Sequence, residues 1–180
     1  MGNRRDGKAS SSGPLVAVVG GSRSDLPILE KTMAMLSQLG VPAELRILSA
    51  HRTPDHLIAY VEQAPDRGIC VIIAGAGGAA HLAGVVAAKT HLPVIGLPMP
   101  TQHLGGLDSL LSIVQMPKGV PVATVAIGGA ENAGLLAAQI LGIHNSSIQA
   151  RVKEFRAEQT RAVIESAPQY QAKPTKSPKA

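Results

Sequence analysis

Three short segments of the 180-residue chain gather the residue types that do chemistry: Gly20-Gly21-Ser22-Arg23-Ser24-Asp25, Ser49-Ala50-His51-Arg52-Thr53-Pro54 and Ala74-Gly75-Ala76-Gly77-Gly78-Ala79-Ala80-His81. The first offers hydroxyls and small residues with free N–H groups ahead of a helix, an arrangement that holds a phosphate without a lysine. A Ser24 that only caps the helix fits equally well. Asp25 suits either the positive end of that helix or the hydroxyls of a ribose, and both stay open. In the second segment, His51 is the side-chain type that gains and loses a proton near neutral pH. Beside it stands Arg52, whose fork suits phosphate, and Thr53-Pro54-Asp55 reads as an N-cap, a first-turn proline and an acid. His51 is the candidate proton carrier.

The third segment matches the G-x-G-x-x-A dinucleotide fingerprint. That reading needs an acid about 20 residues on to hold a ribose, and 94–99 contains none. Close backbone approach to a small planar ligand fits better, with His81 aimed at the ligand or packed beneath it. The six histidines show no paired helical spacing with a carboxylate, and the single cysteine forms no cluster, so no metal site is expected. No G-x-S-x-G elbow supports a serine nucleophile.

These segments need a frame that brings them to one edge. Apolar runs at 15–19, 43–48, 69–74, 94–97 and 122–127 are mostly continuous, as expected of strands buried on both faces. Helix-length segments follow at 25–39, 54–66, 79–90, 106–115 and 130–141, with Gly40 and Gly68 where C-terminal caps belong. The alternation predicts a three-layer α/β/α domain over 14–167 with a central parallel sheet, flavodoxin-like or Rossmann-like. Ligands in such sheets bind beyond the carboxyl ends of the strands, where the three segments fall. A polar helix over 146–166 carries Ile148, Val152, Phe155 and Val163 along one side and must pack on its own domain or on a neighbour. The stretch 79–88, apolar nearly all round, wants burial on every side, either from the sheet and another subunit or within its own core. Residues 1–13 and 168–180 read as disordered tails.

Hydrophobic residues make up 45% of the chain but aromatics only 2%, so the core is built from aliphatic residues, as suits closely packed α/β layers. The formal charge of +5 sits in the ends: Arg4, Arg5 and Lys8 against Asp6, and Lys173, Lys176 and Lys179 with no acid. The neutral remainder is a poor footprint for nucleic acid. Cys70, within an apolar run, reads as a small core residue. No run approaches the ~20 apolar residues that span a bilayer, and the N-terminus lacks a signal peptide's apolar stretch. A soluble cytoplasmic protein is expected, with no membrane or nucleic-acid partner.

The strings GSRSD (21–25), SAHRTP (49–54) and AGAGGAAHL (74–82), with 106–128 and 132–141, resemble class I 5-(carboxyamino)imidazole ribonucleotide mutases over about 15–165. The resemblance implies a step of purine biosynthesis: N5-carboxyaminoimidazole ribonucleotide becomes 4-carboxy-5-aminoimidazole ribonucleotide, without metal, nucleotide cofactor or ATP, in a homo-octamer with sites at subunit junctions. It implies that Ser22 and Asp25 bind substrate, Asp25 through ribose hydroxyls, and that Ser24, Ser49 and Arg52 surround the phosphate. His51 would be the catalytic histidine and His81 a second one. The run from Ala74 to Ala79, with Gly75, Gly77 and Gly78, would cradle the imidazole and its migrating carboxylate. From its own residues, Pro98, Pro100, Gly105 and Gly106, loop 98–106 is a candidate to close the site. Ala83 stands where the family commonly has proline, and 128–132 is shorter than the family's usual loop. The competing readings are a carboxylase using free carbon dioxide and a non-catalytic nucleotide-binding module.

Overall fold

The computed structural model describes Gly13 and residues 15–167. The tails expected at 1–13 and 168–180 lie, Gly13 apart, outside the described residues. Five parallel strands form one sheet: β1 (Val16–Gly20), β2 (Ala43–Ile47), β3 (Val71–Ala76), β4 (Val94–Pro98) and β5 (Ala123–Thr124), in the order β2-β1-β3-β4-β5. That is the flavodoxin-like order of the two expected. The continuous apolar runs are explained by burial of both strand faces. Val16, Val18, Val71, Ile73, Ile95 and Leu97 pack with helices α1 (Leu26–Gln38), α5 (Ala130–Gly142) and the start of α6 (Ser146–Ser166). Their neighbours Ala17, Val19, Ile72, Ala74 and Val94 face α2 (Pro54–Glu62), α3 (Leu82–Ala87) and α4 (Leu107–Val114) on the other side. The three layers and the C-terminal helix are those expected.

Helix α1 ends as a glycine cap requires. Gly40 takes φ +62°, and the Val41 N–H reaches back to the Leu36 carbonyl at 2.8 Å. Arg151 of α6 adds a hydrogen bond to the Leu39 carbonyl at 3.2 Å, tying the last helix to the first. On the edge strand β2, Glu44 accepts hydrogen bonds from Tyr60 and Arg67, both at 2.7 Å, while the Arg67 guanidinium lies over the Tyr60 ring. Burial, then the bond to Glu44, pushes the Tyr60 hydroxyl up to about 12.

Several expectations are corrected. Cys70 is exposed: it precedes β3, and its side chain faces outward between the buried Ile69 and Val71. Thr53 stands at the N-cap of α2, but its hydroxyl turns back to the Ser49 carbonyl instead of capping the helix. The segment 54–66 breaks at Pro65 into α2 and a 3-10 turn, Pro65–Arg67, closed by Gly68 at φ +88°. The helix over 79–90 shrinks to α3: the positive φ of Gly78 holds 77–81 as a loop. Leu82, Ala83 and Val86 of α3 pack in their own chain's core. Strand 122–127 shortens to two residues as the chain curls into the turn at Gly128, whose N–H bonds the Pro98 carbonyl at 2.8 Å. On α6, Ile148, Val152 and Phe155 pack on the domain, but Val163 is exposed.

Candidate active site

Strand order reverses between β1 and β3, and the loops that leave them open a crevice at this switch point. The crevice is a cavity of about 420 Å³, within the range that holds a small organic ligand. Its floor is Gly21, Ser22, Ser24 and Asp25 from the first loop, Ser49 to Arg52 from the second, and Ala76, Gly77 and Ala79 from the third. Met99, Pro100, Thr101 and Gln102 close one side.

The first loop is a 3-10 turn, Arg23–Asp25, made rigid by a reciprocal cap: Ser22 accepts the Ser24 N–H, and the Asp25 carboxylate accepts the Ser22 N–H at 2.9 Å. The cap residue is thus Ser22, not Ser24. Asp25 is buried, and burial pushes its carboxyl above the ordinary carboxylate range, against the Ser22 N–H and the nearby Arg52 charge. The sign follows: a raised folded-state value favours the folded state below the ordinary carboxylate range and loses that contribution as pH rises through the folded value. At neutral pH the charge is a cost, so Asp25→Asn is expected to raise the melting temperature of the free protein. The gain should shrink as pH falls from the raised folded-state value to the ordinary carboxylate range. A pH series of thermal melts reads this, and a variant that melts lower at neutral pH contradicts it.

Arg52 is a brace as well as a charge. Its Nη2 donates to the Gly21 carbonyl at 2.9 Å and its backbone N–H to Ser49 Oγ at 3.1 Å, so one side chain ties the first loop to the second. At the mouth, His51 Nε2 and His81 Nδ1 are 2.8 Å apart, the rings nearly perpendicular. Residues 30 apart in sequence are joined here because β2 and β3 flank β1 in the sheet, so the loops that follow them lie on either side of its exit. Two N–H groups cannot point at each other across that distance, so the shared edge carries one proton. The contact lets the two rings share a single hydrogen.

Of the residues singled out from sequence, Ser22, Ser24, Asp25, Ser49, His51, Arg52 and Gly77 line the cavity, and His81 touches it through His51. Ala74 and Gly75 do not: Ala74 is buried in the core beneath α3, and Gly75 leaves room for Met99 and Leu29 behind the sheet edge. Gly78 turns away into a hydrogen bond with α4. Neither Ala83 nor 128–132 lines the cavity. Sequence reasoning named the loop 98–106 only as a cover, whereas Met99 to Gln102 form a wall; the signal was Pro98 and Pro100 stiffening the exit of β4. Among the described residues no cluster of three metal-ligating side chains occurs, and no helix is long and apolar enough to cross a membrane.

Comparison with known proteins agrees with this architecture. The model of the AIR carboxylase family matches residues 15–162. A Thermotoga maritima protein named N5-carboxyaminoimidazole ribonucleotide mutase is 57% identical over 154 residues, covering 86% of this chain and 90% of that one. A Pseudomonas aeruginosa protein of the same name is 58% identical, covering 84% and 94%. The crystal structure of Treponema denticola PurE superposes with a TM-score of 0.78 at 32% identity, covering 84% of this chain and 95% of that one.

Proposed function

The chain belongs to the AIR carboxylase family, and from that premise we propose that it is an N5-carboxyaminoimidazole ribonucleotide mutase of purine biosynthesis. The observation that carries the reading is an imidazole pair sharing one proton at the mouth of a cavity floored by hydroxyls, an acid and Arg52. Relatives bearing that name at 57–58% identity support it. In this reading Ser24, Ser49 and Arg52 hold the phosphate and Ser22 and Asp25 the ribose. The Gly77 and Ala79 amides face the carboxylate.

The chemistry needs one proton carrier. The carbamate N–C bond breaks, carbon dioxide is released into the cavity, and the exocyclic nitrogen takes a proton from His51. The adjacent ring carbon then attacks carbon dioxide, and its own hydrogen returns to His51, so no proton is consumed. Holding carbon dioxide against the ring replaces escape into water with a high effective concentration. The test supplies purified protein with the carbamate nucleotide and, separately, with aminoimidazole ribonucleotide plus bicarbonate. Rapid product from the first at low bicarbonate supports the mutase. Product only from the second would make it a carboxylase of free carbon dioxide.

The protein is cytoplasmic and a homo-octamer in this reading. The assembly is supported by an apolar stripe that one chain leaves uncovered. Leu107, Leu111 and Val114, one helical face of α4, are 50%, 52% and 45% exposed, next to Leu104 at 60%. Light scattering should give eight times the 18.5 kDa chain mass, and Leu111→Lys should shift it to smaller species; a wild-type monomer would contradict the proposal.

A further inference from the structure

Helix α4 touches no part of the cavity directly, yet it holds two of its walls. Ser109, fully buried on the inner face of the helix, accepts the Gly78 N–H at 2.9 Å. One turn on, the Ser112 hydroxyl is shared between the Asp108 carbonyl at 2.7 Å and the Gly78 carbonyl at 3.3 Å. At the head of the helix, Thr101 donates to the Asp108 carboxylate at 2.7 Å and accepts the Gly106 N–H at 3.0 Å, which fixes the loop leaving β4.

Gly78 is the residue all of this serves. It takes φ +68°, and nothing lies within 4 Å of where a Cβ would stand, so glycine is required by the left-handed backbone and not by crowding. With its N–H and its carbonyl both engaged by α4, the orientation of the peptides on either side is set. The peptide that follows carries the Ala79 N–H, which meets no acceptor among the described residues, and Ala79 lines the cavity. A buried hydroxyl on a helix face otherwise given to Ile113 is costly unless bonded. Its partner is the loop peptide, so the cost of Ser109 is offset by the shape it gives the loop.

We infer that Ser109, together with Ser112, is a positioning residue: by fixing the two peptides that meet at Gly78, the pair orients the Ala79 amide toward the carboxylate being moved without touching substrate. This rests on the proposed function, because only a carboxylated nucleotide uses that amide. The test measures binding of 4-carboxy-5-aminoimidazole ribonucleotide and of aminoimidazole ribonucleotide, which differ by the carboxylate, together with KM, kcat and thermal melts. Ser109→Ala is expected to bind the carboxylated nucleotide about tenfold more weakly, the scale of one lost hydrogen bond, and the other nucleotide unchanged. Ser112→Ala should move the same way by a smaller factor, and decides the matter if the buried substitution prevents folding. Equal weakening for both nucleotides, or none for either, overturns the inference while the functional reading stands. Wild-type protein that binds neither nucleotide overturns both.

Discussion

Replacing His51 with Asn is expected to lower turnover of the carbamate nucleotide by about 10²–10⁴-fold, the contribution of a placed acid–base group. Nucleotide affinity should stay within a few-fold. The reasoning is geometric. His51 sits at the mouth on the loop between β2 and α2, and the second loop's shape comes from Ser49, which bonds the backbone N–H groups of His51 and Arg52 at 3.3 and 3.1 Å. Asn keeps that backbone and a polar group but carries no exchangeable ring proton. The edge facing His81 at 2.8 Å would lose its shared hydrogen. Steady-state kinetics beside an equilibrium binding measurement separate the two effects. Near-normal turnover would remove His51 from the chemistry.

Replacing Arg52 with Lys should weaken nucleotide binding by about 10²-fold, as charged hydrogen bonds at the strong end of their range are lost. Two effects combine. Lysine keeps a point charge for the phosphate but has no fork, and it cannot donate to the Gly21 carbonyl while also facing a ligand, as the guanidinium does at 2.9 Å. The two can be told apart with a ligand that lacks the phosphate. If Arg52 acts on phosphate, wild type and variant bind the phosphate-free nucleoside almost equally. If the variant loses the nucleoside as badly, Arg52 serves only to brace the first loop against the second.

The fold was legible because the physics behind it is local. Continuous aliphatic runs separated by capped helical segments can bury both faces only in a parallel sheet, and Gly40 and Gly68 stand in the left-handed conformation their positions suggested. The chemistry-bearing loops were legible for a related reason: a parallel sheet puts every strand's carboxyl end on one side. What failed is what depends on register and distant partners. Cys70 looks like a strand residue until the strand is seen to start at Val71. Val163 follows the spacing of Ile148 and Val152, but the domain surface ends before it. The bond from Gly78 to Ser109 spans 31 positions and has no local signature. Ala74 and Gly75 read as ligand contacts from the motif alone, yet the pleat turns them inward.

The most direct measurement is a crystal structure of the protein with the carboxylated nucleotide bound. The account predicts the phosphate against Ser24, Ser49 and Arg52, and His51 within hydrogen-bonding reach of the ring carbon that receives the carboxylate, about 3–3.5 Å. A heterocycle bound with its reacting carbon away from His51, or a nucleotide seated elsewhere on the chain, would contradict it.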